Sequence, residues 1–128
     1  VVDFTSMFEG CFKFNSDLSQ WNTGNARDMG VMFGVALLFD SDLSNWDVSR
    51  VESLDSMFYQ ATSFTSDLSR WSTGNVKSFR SVFYFATSFQ SDLSMWNTSS
   101  GEITDFMFDG ASRFTSDLSA WDVRRRSV

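Results

Sequence analysis

The chain has 128 residues, of which 42% are apolar and 17% aromatic, a composition too rich in core-forming side chains for a disordered protein. No apolar run approaches the length of a membrane-spanning helix, and a net charge of −6 argues against binding to the phosphate backbone of nucleic acids. Histidine is absent and Cys11 is the one cysteine, which excludes imidazole ligands, histidine-based catalytic triads and a disulfide within the chain.

A single eight-residue frame, F-x-S-D-L-S-x-W, occurs five times at a constant spacing of 25 residues. It divides the chain into five units: 1–25, 26–50, 51–75, 76–100 and 101–125. One such unit is too short to close a core alone, so the units are expected to stack with equivalent positions side by side. Because the chain opens at Val1 without an initiator methionine, we interpret it as a window of a longer array.

The first half of each unit has the spacing of an amphipathic helix. In the third unit the apolar residues fall at i, i+3, i+6, i+7 and i+10, which predicts a helix of about three turns over residues 51–61. Ser49 and Glu52 have the capping-box spacing for its start. In the fifth unit Gly101 and Thr104 occupy two of these positions, while Ile103 and Phe106 are displaced, which predicts a shorter or later helix there. The stripe of the third unit is Val51, Leu54, Met57, Phe58 and Ala61.

The second half of each unit alternates and then turns. Residues 64–68 are predicted to form a strand, with Phe64, Ser66 and Leu68 on the inner face of a parallel sheet whose strands lie about 4.8 Å apart. Trp71 closes this stretch. The residue after each tryptophan is Asn, Asp or Ser, a type that forms Asx turns or caps helices. Together these elements predict an α/β repeat solenoid of five leucine-rich-repeat-like coils, with a parallel sheet on one face and short helices on the other.

Residues 46–71, WDVSRVESLDSMFYQATSFTSDLSRW, carry the motif most fully: Met-Phe, then Phe, then Asp-Leu-Ser-x-Trp, in one order and at one period. This motif resembles the BspA-like, DUF285-type repeat, a bacterial surface protein repeat related to leucine-rich repeats. The resemblance covers essentially the whole chain. It implies an extracellular or cell-surface module for adhesion or interaction, and it implies no catalytic residue.

Five aspartates at equivalent positions form the first candidate site. Adjacent like charges about 5 Å apart repel, so something is expected to offset their repulsion. One interpretation is calcium bridging successive carboxylates. The other is hydrogen bonding to the serine two residues on or to turn N–H groups of the adjacent unit. The column is Asp17, Asp42, Asp67, Asp92 and Asp117.

Apolar residues outside the core spacing form the second candidate, a partner surface. The alternative is local variation of the core, with these side chains folded under the end of the predicted helix. The residues are Phe12, Val35, Leu37, Leu38, Tyr59, Tyr84 and Phe85.

From the sequence we therefore expect a non-enzymatic module without a cofactor. Its expected partner is a protein, a glycan, or neighbouring repeats or subunits of the same assembly. A structural scaffold is the alternative, and a calcium- or mineral-binding repeat is a further one. Nucleic acid is not expected as a partner, and the basic run at residues 124–126 is interpreted as linker.

Overall fold

The computed structural model describes residues 2–121; Val1, Asp122 and the basic run at 124–126 lie outside this range. Two strands, β1 (Val2–Asp3) and β2 (Ala26–Asp28), pair in parallel, with an irregular register between their two paired positions. Three single parallel bridges continue this pairing along the later units, joining Asp28 to Ser53, Ser53 to Ser78 and Ser78 to Ile103. The rest of the described chain consists of turns and irregular backbone, without a helix.

The prediction of an α/β solenoid, with helices on one face and a parallel sheet on the other, is therefore wrong. Residues 51–61, predicted as a helix, contain one bridging residue, Ser53, which pairs with both neighbouring units, followed by turns. Residues 64–68, predicted as a strand, have no strand pairing. The short parallel pairing that does exist lies in the segment predicted to be helical.

The backbone hydrogen bonds show why no helix forms. In the third unit the N–H groups of Phe58 and Gln60 donate to carbonyl oxygens of the next unit, at 2.9 and 2.7 Å, whereas Ala61 donates three residues back to Phe58. An α-helix needs every N–H to donate four residues back. Moreover, Ser56 and Gln60 have φ angles of 56° and 55°, in the left-handed region that interrupts a right-handed helix. The equivalent residues with positive φ are Ser6, Gly10, Val31, Val35, Ser81, Phe85, Phe106 and Gly110.

Serine side chains replace the expected strand pairing in the second half of each unit. The N–H of Leu43 donates to Oγ of Ser66 in the next unit at 2.9 Å. The rings of Phe39 and Phe64, which begin this stretch in neighbouring units, are stacked at 5.9 Å between centroids. A serine hydroxyl of the next unit thus takes the place of a backbone carbonyl as the acceptor. The same bond joins Leu18 to Ser41, Leu68 to Ser91 and Leu93 to Ser116.

Equivalent side chains of neighbouring units do stack, and they form the core. The rings of Phe33 and Phe58, and of Phe58 and Phe83, are parallel at 5.7 Å. All five apolar residues of the predicted third-unit stripe are fully buried, and so are Phe64 and Leu68. The sequence spacing therefore predicted which residues face inward, although it predicted the wrong backbone for them.

The fifth unit keeps the inward register of the others instead of shifting. Thr104 is buried at the stripe position, while Ile103 and Phe106 are exposed. Gly101 is also buried; a Cβ built on it would lie 3.1 Å from the Phe79 ring, so the close approach of that ring favours glycine. The predicted late helix start is wrong because Ile103 and Phe106 are not core residues.

Candidate functional site

The predicted partner surface consists of side chains that leave the core. Phe12 is 55% exposed, Leu38 53%, Phe85 44% and Leu37 37%. Val35, Tyr59 and Tyr84 are half-buried. The four exposed residues are not folded into the core, whereas the predicted alternative places them there.

Three of these residues form one contact group, which we call the aromatic cluster: Tyr59, Tyr84 and Phe85. The Tyr59 and Tyr84 rings are stacked at 4.9 Å between centroids, with planes 8° apart. Phe85 meets Tyr84 edge to face at 4.8 Å. These are favourable geometries for aromatic pairs, so each ring fixes the position of its neighbour.

The backbone around Phe85 sets its ring against the next unit. Its N–H donates to the carbonyl oxygen of Asp109 at 2.8 Å, and its φ of 53° lies in the left-handed region. A Cβ built on Gly110 would be 2.7 Å from three atoms of the Phe85 ring. Part of the ring therefore lies directly on the Gly110 backbone, and its exposed part points away from it.

We call the three remaining exposed apolar residues of the predicted surface, Phe12, Leu37 and Leu38, the Leu37 patch. Phe12 and Leu37 are equivalent residues of the first two units, and Leu38 follows in sequence. Within residues 2–121, Phe12 makes no ring contact with the aromatic cluster. Ring contacts thus join only Tyr59, Tyr84 and Phe85 of the predicted partner surface.

The repeat itself shows that the fold does not require the aromatic cluster. The residue pair equivalent to Tyr84 and Phe85 is Glu9-Gly10 in the first unit and Asp109-Gly110 in the fifth. Both glycines have the same positive φ region as Phe85. The same turn is therefore made without aromatic side chains, so the rings are additions to a backbone that forms in their absence.

Met95 is a surface residue that the sequence interpretation missed. It is 84% exposed and lines a shallow groove of about 640 Å³ that also includes Arg70, Gly74 and Asn97. The equivalent residues in the other units are Gln20, Asn45, Arg70 and Ala120. A methionine in this mostly polar column was the signal that would have identified it.

A ladder of alternating charge lies at another equivalent position. Glu52 forms ion pairs with Arg27 at 3.2 Å and with Lys77 at 3.4 Å, instead of capping a helix with Ser49. Hydrogen bonds lower the pKa of the Glu52 carboxyl, and the bond from Arg27 has a larger effect than the bond from Lys77. These side chains, with Arg50 and Asn75, line an open groove of about 330 Å³. Because all three charged partners are exposed, the pairs contribute little stability.

In the aspartate column, every carboxylate is hydrogen-bonded. Each accepts a 2.9 Å bond from the N–H of the serine two residues on, as the hydrogen-bonding interpretation predicts. The Ser91 hydroxyl also donates to Asp67 across units at 3.2 Å. Within residues 2–121 no group of three or more His, Cys, Asp or Glu side chains is placed to hold a metal ion. Calcium bridging between successive carboxylates stays a prediction.

The serine hydrogen bonds favour the charged form of these carboxylates. For Asp17 and Asp42 the serine hydroxyl is the larger cause that lowers the pKa, and the serine N–H adds to it. For Asp67, Asp92 and Asp117 the serine N–H is the larger cause. All five side chains are therefore negative at neutral pH.

Comparison with known proteins identifies one family. The sequence profile described as "Mycoplasma protein of unknown function, DUF285" matches residues 1–84 and again residues 39–127. The two overlapping matches cover almost the whole chain and confirm the resemblance inferred from the repeat. No curated protein and no solved structure matches the chain. In the described part of the chain, no helix has the length and apolar character needed to cross a membrane.

Proposed function

Since this chain belongs to the DUF285 family, whose function is unknown, we propose that it is a non-catalytic binding module. In this proposal it is part of a surface or secreted protein and engages a protein or glycan partner. The observation that carries the proposal is the exposure of large apolar side chains outside the core, above all Phe12, Leu38 and Phe85. Binding that removes such side chains from water is favoured, because burying apolar surface lowers the free energy.

The burial pattern supports an interaction surface more than a packing role. Leu37 and Leu38 are exposed beside Ala36 and Phe39, which are fully buried. The equivalent pair in the third unit is Thr62-Ser63, so the same turn forms with hydroxyl side chains. Apolar residues that the turn does not need are typical of a surface that contacts something else.

A structural scaffold is the second candidate, and the bonding between units favours it. Each pair of neighbouring units is joined by backbone hydrogen bonds, stacked rings and serine bonds. A scaffold function predicts that the surface residues tolerate substitution without loss of association. The binding function predicts the opposite.

The test compares Leu37→Asp and Phe85→Asp with the parent chain and with Gln90→Asp, which adds the same charge at an exposed polar position. Binding is measured by surface plasmon resonance to immobilised purified matrix proteins and polysaccharides, and melting by circular dichroism. We expect the Leu37 or Phe85 variant to lose binding while its melting temperature matches that of the Gln90 variant. Full binding by both variants contradicts the proposal, and a large fall in melting temperature instead supports a packing role.

A further inference from the structure

We propose that the aromatic cluster of Tyr59, Tyr84 and Phe85 is a platform for an uncharged saccharide. This inference rests on the proposed binding function and narrows its partner at this place to one chemical class. It is carried by the absence of charged residues from the segments that hold the cluster, by the unused hydrogen-bonding groups on it, by its fixed geometry and by its size.

The three segments that hold the cluster contain no ionic side chain, and the nearest charged residue in the adjoining unit is Asp109, whose carbonyl oxygen accepts the Phe85 N–H at 2.8 Å. The chain contains 26 charged residues, yet residues 34–38, 59–63 and 84–88, which occupy equivalent positions in the three central units, include none. The equivalent segments of the outer units do carry charge, with Glu9 and Lys13 in one and Asp109 and Arg113 in the other. An anionic ligand would lose hydration here without gaining an opposite charge, and Asp109 would repel it. An uncharged ligand needs no opposite charge and avoids this cost.

The cluster also presents hydrogen-bonding groups that the protein does not use. Within residues 2–121, neither the Tyr59 nor the Tyr84 hydroxyl has a hydrogen-bond partner, and neither does the side-chain amide of Gln60. A phenol both donates and accepts, and an amide does the same through separate atoms. A saccharide offers hydroxyls to such groups, and its C–H faces pack on aromatic rings, whose faces are partly negative.

The rings are held in place before any ligand binds. Tyr59 and Tyr84 are stacked, and Phe85 lies between the Tyr84 ring and the backbone of Gly110. Tyrosine and phenylalanine have two side-chain torsions each, so little conformational entropy remains to be lost on binding.

The size of the cluster favours a small ligand over a protein. An aromatic side chain has about 150–250 Å² of surface, so three rings that are half-buried or 44% exposed offer at most about 300 Å². A stable protein interface buries about 800 Å² on each partner. The cluster is therefore too small to hold a protein on its own, but it matches a few sugar rings.

The repeat supplies the variants that test this inference. The double substitution Tyr84→Asp with Phe85→Gly introduces the pair present at Asp109 and Gly110, which the same turn already accommodates. The control, Gln90→Asp, introduces the residue present at the equivalent Asp40, adds the same charge at an exposed polar position and leaves the aromatic cluster intact. Binding of the full chain to dextran, mannan, a β-glucan and a galactan is measured by calorimetry, beside heparin as an acidic probe.

We expect binding to at least one neutral polysaccharide, weaker binding to heparin, and at least about a tenfold loss in the Tyr84/Phe85 variant with no loss in the control. Equal binding by the Tyr84/Phe85 variant overturns the inference. If that variant melts early, Tyr84→Phe decides in its place: we expect a few-fold loss from removing one hydroxyl, and unchanged binding overturns the inference.

The outcome also separates this inference from the proposed function. If no neutral polysaccharide binds but a matrix protein binds through Leu37, the saccharide inference fails and the binding function stands. If neither class of ligand binds, both fail.

Discussion

The indole Nε1 of Trp71 donates a 2.9 Å hydrogen bond to the carbonyl oxygen of Leu43 in the preceding unit. The bond is buried and spans 28 residues, so one side chain fixes the distance between two turns of neighbouring units. Three other tryptophans make the same bond to the equivalent leucine: Trp46, Trp96 and Trp121. The tryptophan column is thus a set of ties between units as well as part of the core.

Removing this tie in Trp71→Phe should lower the free energy of unfolding by about 1–3 kcal/mol, because the indole hydrogen bond and part of the buried packing are lost, and the Leu43 carbonyl keeps only the bond from the Trp46 N–H. Trp21→Phe is the matched control. Trp21 is 38% exposed, and its indole nitrogen makes no hydrogen bond within residues 2–121. We expect a loss of about 1 kcal/mol or less there. Urea denaturation measures both, and equal losses would show that the hydrogen bond contributes nothing specific.

The serine bonds between units make a second prediction. In Ser66→Ala the Leu43 N–H is left buried without an acceptor, which should lower the free energy of unfolding by about 1–3 kcal/mol. Ser16→Ala is its equivalent in the first unit, where the side chain is exposed and accepts no such bond within the described residues. That variant should unfold like the parent chain. If Ser66→Ala left the free energy of unfolding unchanged, a water molecule would have replaced the hydroxyl as the acceptor.

The sequence predicted the neighbours of each residue better than it predicted the backbone. The 25-residue period correctly placed Phe58 beside Phe33 and Phe83, because side chains at equivalent positions repeat in size and polarity. The inward face of residues 64–68 was correct for the same reason. The Asx turn after the tryptophan was also correct, since Asn22 and Asp47 accept the N–H two residues on.

The predicted helices failed because a spacing of three and four residues is not unique to an α-helix. Here left-handed residues such as Ser56 and Gln60 bend the chain at a four-residue interval, which buries the same positions as a helix would. Serine and glutamine are not residue types that indicate a left-handed conformation in a sequence. Among these positions only Gly10 and Gly110, in the first and fifth units, carry the residue type that does. In the candidate site, the sequence identified Tyr59, Tyr84 and Phe85, but their mutual contacts depended on the unit-to-unit geometry.

The left-handed backbone at Gln60 gives a third prediction. Its φ is 55°, and a side chain in this region costs about 1–2 kcal/mol, whereas glycine adopts it freely. After the entropy that glycine loses on folding, Gln60→Gly should raise the free energy of unfolding by about 0.5–1 kcal/mol. Gln60→Val should lower it, because a β-branched residue is disfavoured at positive φ. Thermal and urea denaturation measure both, and the opposite order would contradict the left-handed turn.

Calcium provides a direct test of the aspartate column. Because each carboxylate already accepts a serine N–H, we expect saturating CaCl₂ to move the melting temperature by no more than about one degree. MgCl₂ at equal ionic strength is the control, and we expect it to have the same effect. A calcium-specific rise of several degrees that disappears in Asp67→Asn would contradict this expectation. It would support the bridging interpretation instead, since a bound ion stabilises only the folded state.

Acid should destabilise the chain through the same column. The serine hydrogen bonds lower the pKa of Asp67 in the folded state, whereas an aspartate in the unfolded chain has a pKa of about 3.9. The stabilisation is therefore fully present above that value and is lost as the pH falls through the lower, folded pKa. Asp67→Asn keeps the oxygen that accepts the Ser69 N–H but does not titrate, so its melting temperature should fall less than that of the parent chain between pH 5 and pH 2. Asp67→Ala loses the bond at every pH and should melt lower already at pH 7. Circular dichroism melts across this range measure all three, and parallel curves for parent and Asn variant would show that the carboxylate is not the titrating group.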